Sequence, residues 1–102
     1  MRILLDGCLP RELAGELIGH EVRTVQQQGW SGTRNGELLR RAAGSFAVFL
    51  TVDKRIGKSE QVPGDLTVVT IRAPSNRIQS LRPLVPQILA SWKRSSLGDF
   101  TG

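Results

Sequence analysis

Two apolar segments that each end in an aspartate constrain the fold of this chain more than any other feature. The first covers residues 3–5 and precedes Asp6, and the second covers residues 46–52 and precedes Asp53. The first segment shows little alternation between apolar and polar residues, which is typical of a central parallel strand buried on both faces. The second segment is rich in valine and phenylalanine, which favour strands. Because parallel strands end at a common edge, we expect the two aspartates to lie at the same edge of the sheet.

Strand and helix signals alternate along the rest of the chain. Strands are predicted over residues 2–5, 20–25, 46–52 and 66–71. Helices are predicted over residues 10–18, 36–43 and 78–92. Pro83 and Pro86 predict an interruption of the last helix, because proline lacks the N–H that a helix interior needs. This order predicts an α/β fold with a mostly parallel sheet of four to five strands and helices on both faces.

The length and composition favour a single domain that does not enter a membrane. The chain has 102 residues, and one hydrophobic core is expected to use residues 1–94, with residues 95–102 as a loose tail. No apolar run approaches the roughly 18 residues of a membrane-spanning helix, and the pattern of a secretory signal is not seen. The single Cys8 excludes an intrachain disulfide, and these features together predict a cytoplasmic protein.

The charge of the chain fits two interpretations equally well. The net charge is +5, and lysine and arginine side chains bind polyanions such as RNA by neutralising phosphates. The alternative is a basic surface that keeps the protein in solution and binds no polyanion. With no tyrosine and five aromatic residues, stacking on nucleic-acid bases is not expected.

Three acidic residues are candidates for a metal site. They are Asp6, Glu37 and Asp53, and their oxygens are ligands that Mg²⁺ or Mn²⁺ prefers. Such a cation activates water and stabilises charge on a phosphodiester, and Asn35 could add a neutral oxygen. Each acid alone has a simpler explanation, because aspartate often forms turns after strands and Glu37 suits the first turn of a helix. The pair of strand-end aspartates is therefore the stronger signal.

Six short motifs along the chain resemble those of one protein family. They are Leu-Leu-Asp-x-x-Leu-Pro at 4–10, Gly-His-Glu-Val-Arg-Thr-Val at 19–25, Gly-Trp-Ser-Gly at 29–32, Asn-Gly-Glu-Leu-Leu at 35–39, Phe-Leu-Thr-Val-Asp-Lys at 49–54 and Ser-Asn-Arg at 75–77. By these motifs the chain resembles the small PIN-like proteins, relatives of the toxin nucleases of bacterial toxin–antitoxin pairs. The resemblance implies a three-layer α/β/α sandwich with acidic residues at the carboxyl edge of its sheet.

The same resemblance implies an activity and partners. It implies a ribonuclease that depends on Mg²⁺ or Mn²⁺, with Asp6 and Asp53 as metal ligands, Glu37 as the third acid, a small antitoxin protein as partner and a homodimer as the assembly. The residues expected to contact RNA are Asn35, Lys54, Arg72, Ser75, Asn76 and Arg77. Gly7 stands where relatives often carry an acid, so a second function stays open: a PIN-like module that binds RNA or a protein without cleavage.

Overall fold

Four short strands form one sheet, and all its strand pairs are parallel within the part of the chain that is described. The computed structural model describes residues 1–56, 62 and 64–96. The strands are β1 (Arg2–Leu5), β2 (Glu21–Thr24), β3 (Val48–Thr51) and β4 (Thr67–Thr70), in the spatial order β2-β1-β3-β4. The prediction of a parallel sheet is thus confirmed, with four strands among these residues.

The helices follow the predicted order with different lengths. Those whose bounds lie within the described residues are α1 (Glu12–Glu16), α2 (Asn35–Ala43), α3 (Ile78–Leu81) and α4 (Val85–Ser96). α1 is shorter than predicted because Leu17 leaves the helical region, with φ −93° and ψ 65°, although its side chain stays buried. The predicted interruption by proline is confirmed, since a 3₁₀ turn (Arg82–Leu84) that contains Pro83 separates α3 from α4.

The sheet carries a hydrophobic cluster on each face, so helices cover both sides as predicted. The cluster on one face joins α1, α3 and α4 to the sheet and includes Ile3, Leu5, Leu13, Leu17, Val48, Leu50, Leu81, Ile88 and Trp92. The cluster on the other face joins α2 to the sheet and includes Leu4, Val25, Leu38, Leu39, Ala42, Phe46, Phe49, Ile56 and Leu66. Successive residues of β1 and β3 alternate between the clusters, because successive side chains of a strand point to opposite faces.

The strand order creates a switch point between β1 and β3. The chain leaves β1 towards β2 on one side and leaves β3 towards β4 on the other side. Open α/β sheets bind ligands outside the carboxyl ends of the strands at such a point. Asp6 directly follows β1, and Asp53 lies two residues beyond the end of β3, so both aspartates follow the two strands that flank the switch point.

The carboxyl terminus differs from the prediction where it is described. α4 continues to Ser96, so Ser95 and Ser96 are helical, although the sequence predicted a loose tail from residue 95. The rest of that predicted tail, residues 97–102, lies outside the described residues. Among the described helices, none has the length and apolar character needed to cross a membrane.

Candidate functional site

The hydroxyl group of Thr51 joins the two strand-end aspartates. Thr51 Oγ1 donates a 2.6 Å hydrogen bond to Asp6 Oδ2 and accepts a 3.0 Å hydrogen bond from the backbone N–H of Asp53. Thr51 is fully buried, so its hydroxyl group needs these partners in place of water. The short contact to Asp6 is typical of a hydroxyl group bound to an ionised carboxylate. Thr51 therefore fixes the carboxylate of Asp6 against the end of β3.

The backbone around Asp6 fixes that carboxylate further. The Asp6 N–H donates to the carbonyl oxygen of Leu50 at 2.9 Å, which extends the β1–β3 ladder by one bond. Asp6 Oδ1 accepts the Gly7 N–H at 2.8 Å, and Cys8 Sγ donates to Oδ2 at 3.4 Å. Each carboxylate oxygen offers about two acceptor positions. Among the described residues, Oδ2 therefore has two donors, whereas Oδ1 has one and retains an acceptor position for a ligand.

The thiol of Cys8 is held in its neutral form beside this carboxylate. Burial raises the pKa of the Cys8 thiol above its ordinary value, and the negative charge of Asp6 acts in the same direction. The backbone of Val52 and the side chain of Thr51 favour the thiolate and lower the pKa, but they do not cancel this shift. A protonated thiol can act as the donor to Asp6, so the raised pKa agrees with the hydrogen bond from Sγ to Oδ2.

We expect Cys8 to react with iodoacetamide several times more slowly in the folded protein than in denaturant, because the thiolate is the nucleophile. Asp6→Asn removes the neighbouring negative charge and should accelerate the reaction roughly two- to fivefold at mildly alkaline pH. The rate is measured by mass spectrometry, which is simple because the chain has one cysteine. Asp65→Asn is the control and should leave the rate unchanged; equal acceleration in both variants would contradict the placement of Cys8 beside Asp6.

Asp53 is engaged by a nearby arginine. Arg55 Nε donates to Asp53 Oδ1 and Arg55 Nη2 donates to Oδ2, each at 3.0 Å, and the Arg55 backbone N–H donates to Oδ1 at 2.9 Å. These hydrogen bonds, together with the positive charge of Arg55, lower the pKa of the Asp53 carboxyl group. Asp53 is therefore ionised at neutral pH, and both of its oxygens already have donors within the chain.

Glu37 lies in the first turn of α2 and forms ion pairs on the helix surface. Its carboxylate contacts Arg40 at 3.0 Å and Arg41 at 3.2 Å, and hydrogen bonds from these two residues lower its pKa. In the described part of the chain, no three His, Cys, Asp or Glu side chains are grouped so as to hold a metal ion. The structure thus links Asp6 to Asp53 through Thr51 but does not gather Glu37 with them, and the role of Glu37 as third acid stays a prediction.

Two of the residues predicted to contact RNA stabilise the loop before α3. Asn76 Nδ2 donates a 2.7 Å hydrogen bond to the carbonyl oxygen of Cys8, which fastens this loop to the turn after β1. Ser75 Oγ lies 2.8 Å from Ser80 Oγ and accepts the Arg77 N–H at 3.2 Å. The amide of Asn76 and the hydroxyl of Ser75 therefore shape the carboxyl edge of the sheet next to Asp6.

The other predicted RNA contacts divide between two places. Lys54, Arg72 and Arg77 are exposed and follow β3 or β4, at the same edge as Asp6. Asn35 is the first residue of α2 and is half-buried. Four positive charges therefore lie in the segments that follow β3 and β4, namely those of Lys54, Arg55, Arg72 and Arg77. The edge combines fixed carboxylates with exposed cations, which is an arrangement that can bind a phosphate.

Thr51 and Arg55 are the site residues that the sequence reasoning missed. Thr51 reads as an ordinary strand residue, because threonine is common in strands, and nothing local marks its bond to Asp6. Arg55 carries a usable signal: it lies two residues after a strand-end aspartate, where the turn brings the two side chains together. Gln26 is a further member of this edge, since its amide donates to the carbonyl oxygen of Gly7 at 3.2 Å.

Comparison with known proteins does not identify a family for this chain. No protein-family model matches the chain, and neither a curated protein nor a solved structure matches it. The resemblance to PIN-like proteins therefore stays a prediction from short motifs.

Proposed function

We propose that this chain is a PIN-like ribonuclease that uses Mg²⁺ or Mn²⁺ and holds the cation with Asp6 and Asp53. One observation carries the proposal: buried Thr51 binds the carboxylate of Asp6 and the backbone of Asp53 together. The two residues follow adjacent parallel strands that flank the switch point of the sheet, which is where α/β sheets bind their ligands.

The oxygen donors at this edge fit a hard divalent cation, with part of its coordination supplied by RNA and water. Mg²⁺ is usually held by one or two carboxylates together with substrate phosphates and several waters. Asp6 Oδ1 has an acceptor position left, and Asp53 supplies the second carboxylate. A bound cation would activate a water molecule and offset the charge that develops on the phosphodiester. Two carboxylates are thus sufficient for a site that is completed by its substrate.

The other residues of the edge have separate tasks in this proposal. Thr51 and the Gly7 N–H hold the Asp6 carboxylate in a fixed orientation. Three exposed basic residues bind RNA phosphates, because their positive charges neutralise the negative charges of the phosphates. They are Lys54, Arg72 and Arg77. Asn76 keeps the loop before α3 against the turn after β1, so that the arginines of that loop stay near the carboxylates.

The proposal includes a biological context that follows from the motif resemblance. The chain would be the toxin of a toxin–antitoxin pair, with a small antitoxin protein as its partner, and it would form a homodimer. Light scattering of the purified protein tests the dimer. Co-expression with the product of the neighbouring gene, followed by purification of a stable complex, tests the antitoxin.

A second candidate function is a PIN-like module that binds RNA or a protein without cutting. The ion pairs favour it, because Asp53 is already neutralised by Arg55, and Glu37 by Arg40 and Arg41. Gly7 adds to this argument. A Cβ at Gly7 would meet Gln26 Nε2 at 3.5 Å, an ordinary contact, so the space around this position does not demand glycine, yet the acid found in relatives is missing.

Purified protein is expected to cut RNA when Mg²⁺ or Mn²⁺ is present and to leave it intact in EDTA. The assay uses a mixture of single-stranded and structured RNAs, with products followed on denaturing gels and binding followed by fluorescence anisotropy. The dependence on metal follows from the carboxylate pair, whose negative charges attract a cation and would repel the phosphodiester in its absence. RNA binding without cleavage under every metal condition would contradict the nuclease and support the second candidate. Absence of both binding and cleavage would exclude RNA as the substrate in either function.

A further inference from the structure

The ion pair between Arg55 and Asp53 blocks one of the two carboxylates that the proposed nuclease needs. The guanidinium group contacts both oxygens of Asp53 at 3.0 Å. Oδ1 also accepts the Arg55 backbone N–H at 2.9 Å, so this oxygen has two donors. A divalent cation at Asp53 would therefore have only Oδ2 to bind, which already accepts one hydrogen bond from Arg55, and it would meet the repulsion of a positive charge a few ångströms away.

We infer that Arg55 is a latch on the metal site, which releases Asp53 when its guanidinium group takes an RNA phosphate. The inference rests on the proposed function. Arginine is suited to this exchange, because its planar fork binds a carboxylate and a phosphate with the same pair of N–H groups. An RNA phosphate thereby replaces Asp53 as the partner of the Arg55 guanidinium group. The carboxylate of Asp53 then becomes available to bind the cation.

The exposure of the Arg55 side chain makes the exchange feasible. The Arg55 side chain is 83% exposed, whereas that of Asp53 is 23% exposed. An exposed ion pair contributes little to stability, so a phosphate can compete for the guanidinium group at low cost. Asp53 keeps its orientation after the exchange, because the backbone N–H of Arg55 still donates to Oδ1.

Arg55 is therefore a positioning residue that makes the binding of metal and RNA cooperative. RNA at the edge raises the affinity for the cation, and the cation raises the affinity for RNA by the same factor, as linkage requires. Without RNA, the latch keeps the site closed and the affinity for the cation low. This coupling distinguishes Arg55 from Lys54, which makes no ion pair within the described part of the chain.

Mn²⁺ binding measured by electron paramagnetic resonance tests the latch without reference to cleavage. Arg55→Gln should bind Mn²⁺ roughly three- to tenfold more tightly than the natural chain in the absence of nucleic acid. Lys54→Gln is the matched control, because it removes one positive charge from the adjacent position and should have a smaller effect. The gain in Arg55→Gln should disappear in the double variant Asp53→Asn/Arg55→Gln, which lacks the released carboxylate.

A short thymidine oligonucleotide provides the phosphates for the second half of the test. It should tighten Mn²⁺ binding by the natural chain, after correction for Mn²⁺ bound to the oligonucleotide alone. The gain should be smaller in Arg55→Gln, in which Asp53 is already free. Thermal unfolding of each variant without metal checks that the turn after β3 keeps its structure.

Two results would overturn the latch, and they are distinguishable from failure of the proposed nuclease. Equal Mn²⁺ affinities of Arg55→Gln and Lys54→Gln, or equal gains from the oligonucleotide in the natural chain and Arg55→Gln, would show that Arg55 acts only as a charge. Metal-dependent cleavage would then still stand. Absence of Mn²⁺ binding in every variant, with and without the oligonucleotide, would reject the nuclease and the latch together.

Discussion

Asp6→Asn is expected to reduce the rate of metal-dependent RNA cleavage at least about a hundredfold. The substitution keeps the size and shape of the side chain and removes the negative charge that attracts the cation. Substitution of Asp6 is expected to reduce cleavage more than substitution of Asp53, because Thr51 and Gly7 hold the Asp6 carboxylate in a fixed orientation. Initial rates on a fluorescently labelled RNA at saturating Mn²⁺ measure the effect.

The fold should survive this substitution because asparagine has nearly the same size and can bind two of the three neighbours of the carboxylate, Gly7 and Thr51. Its carbonyl oxygen can accept the Gly7 N–H, and its amide group can donate to Thr51 Oγ1. Asp65→Asn is the matched control, since Asp65 precedes β4 and lines a shallow depression with Arg2 at the amino-terminal edge of the sheet. We expect that variant to cleave at the natural rate. Full activity of Asp6→Asn would place the reaction at another site.

The parts of the fold that the sequence predicts are those set by long apolar runs. β1 and β3 are buried on both faces, and their continuous hydrophobic character is the pattern that such burial requires. Alternation of strands with helices then leads to parallel pairing. The placement of Asp6 and Asp53 at one edge of the sheet follows from these two steps, because each residue lies just beyond the end of one of these strands. The position of these two residues at one edge of the sheet is therefore predictable from the sequence.

The side-chain partners of the acids could be predicted only in part. Glu37 has Arg40 and Arg41 at the i+3 and i+4 positions of a helix, where oppositely charged side chains meet, so its ion pairs were open to prediction from the spacing. The bond between Thr51 and Asp6 joins residues 45 positions apart. It depends on the register of β1 against β3, and neither the composition nor the spacing of the residues fixes that register.

Ile3→Ala is expected to lower the free energy of unfolding by about 2–5 kcal/mol. Ile3 is fully buried in β1 and lies between Val22 of β2 and Val48 of β3 in the sheet register. Truncation leaves a cavity in a closely packed core, and the neighbouring strands can relax into it only partly. A domain of this size has a total stability of roughly 5–15 kcal/mol, so the loss is a large fraction. Urea unfolding followed by circular dichroism measures it.

Ile18→Ala is the control, because the same groups are removed from a side chain that is 83% exposed. It should change the free energy of unfolding by less than about 0.5 kcal/mol. Similar losses in the two variants would contradict the central position of β1. The comparison also bears on the site, because β1 carries Asp6 at its end. If Ile3→Ala makes β1 less rigid, the hydrogen bond between Asp6 and Thr51 should also be weakened. Cys8 should then react faster with iodoacetamide in Ile3→Ala than in Ile18→Ala.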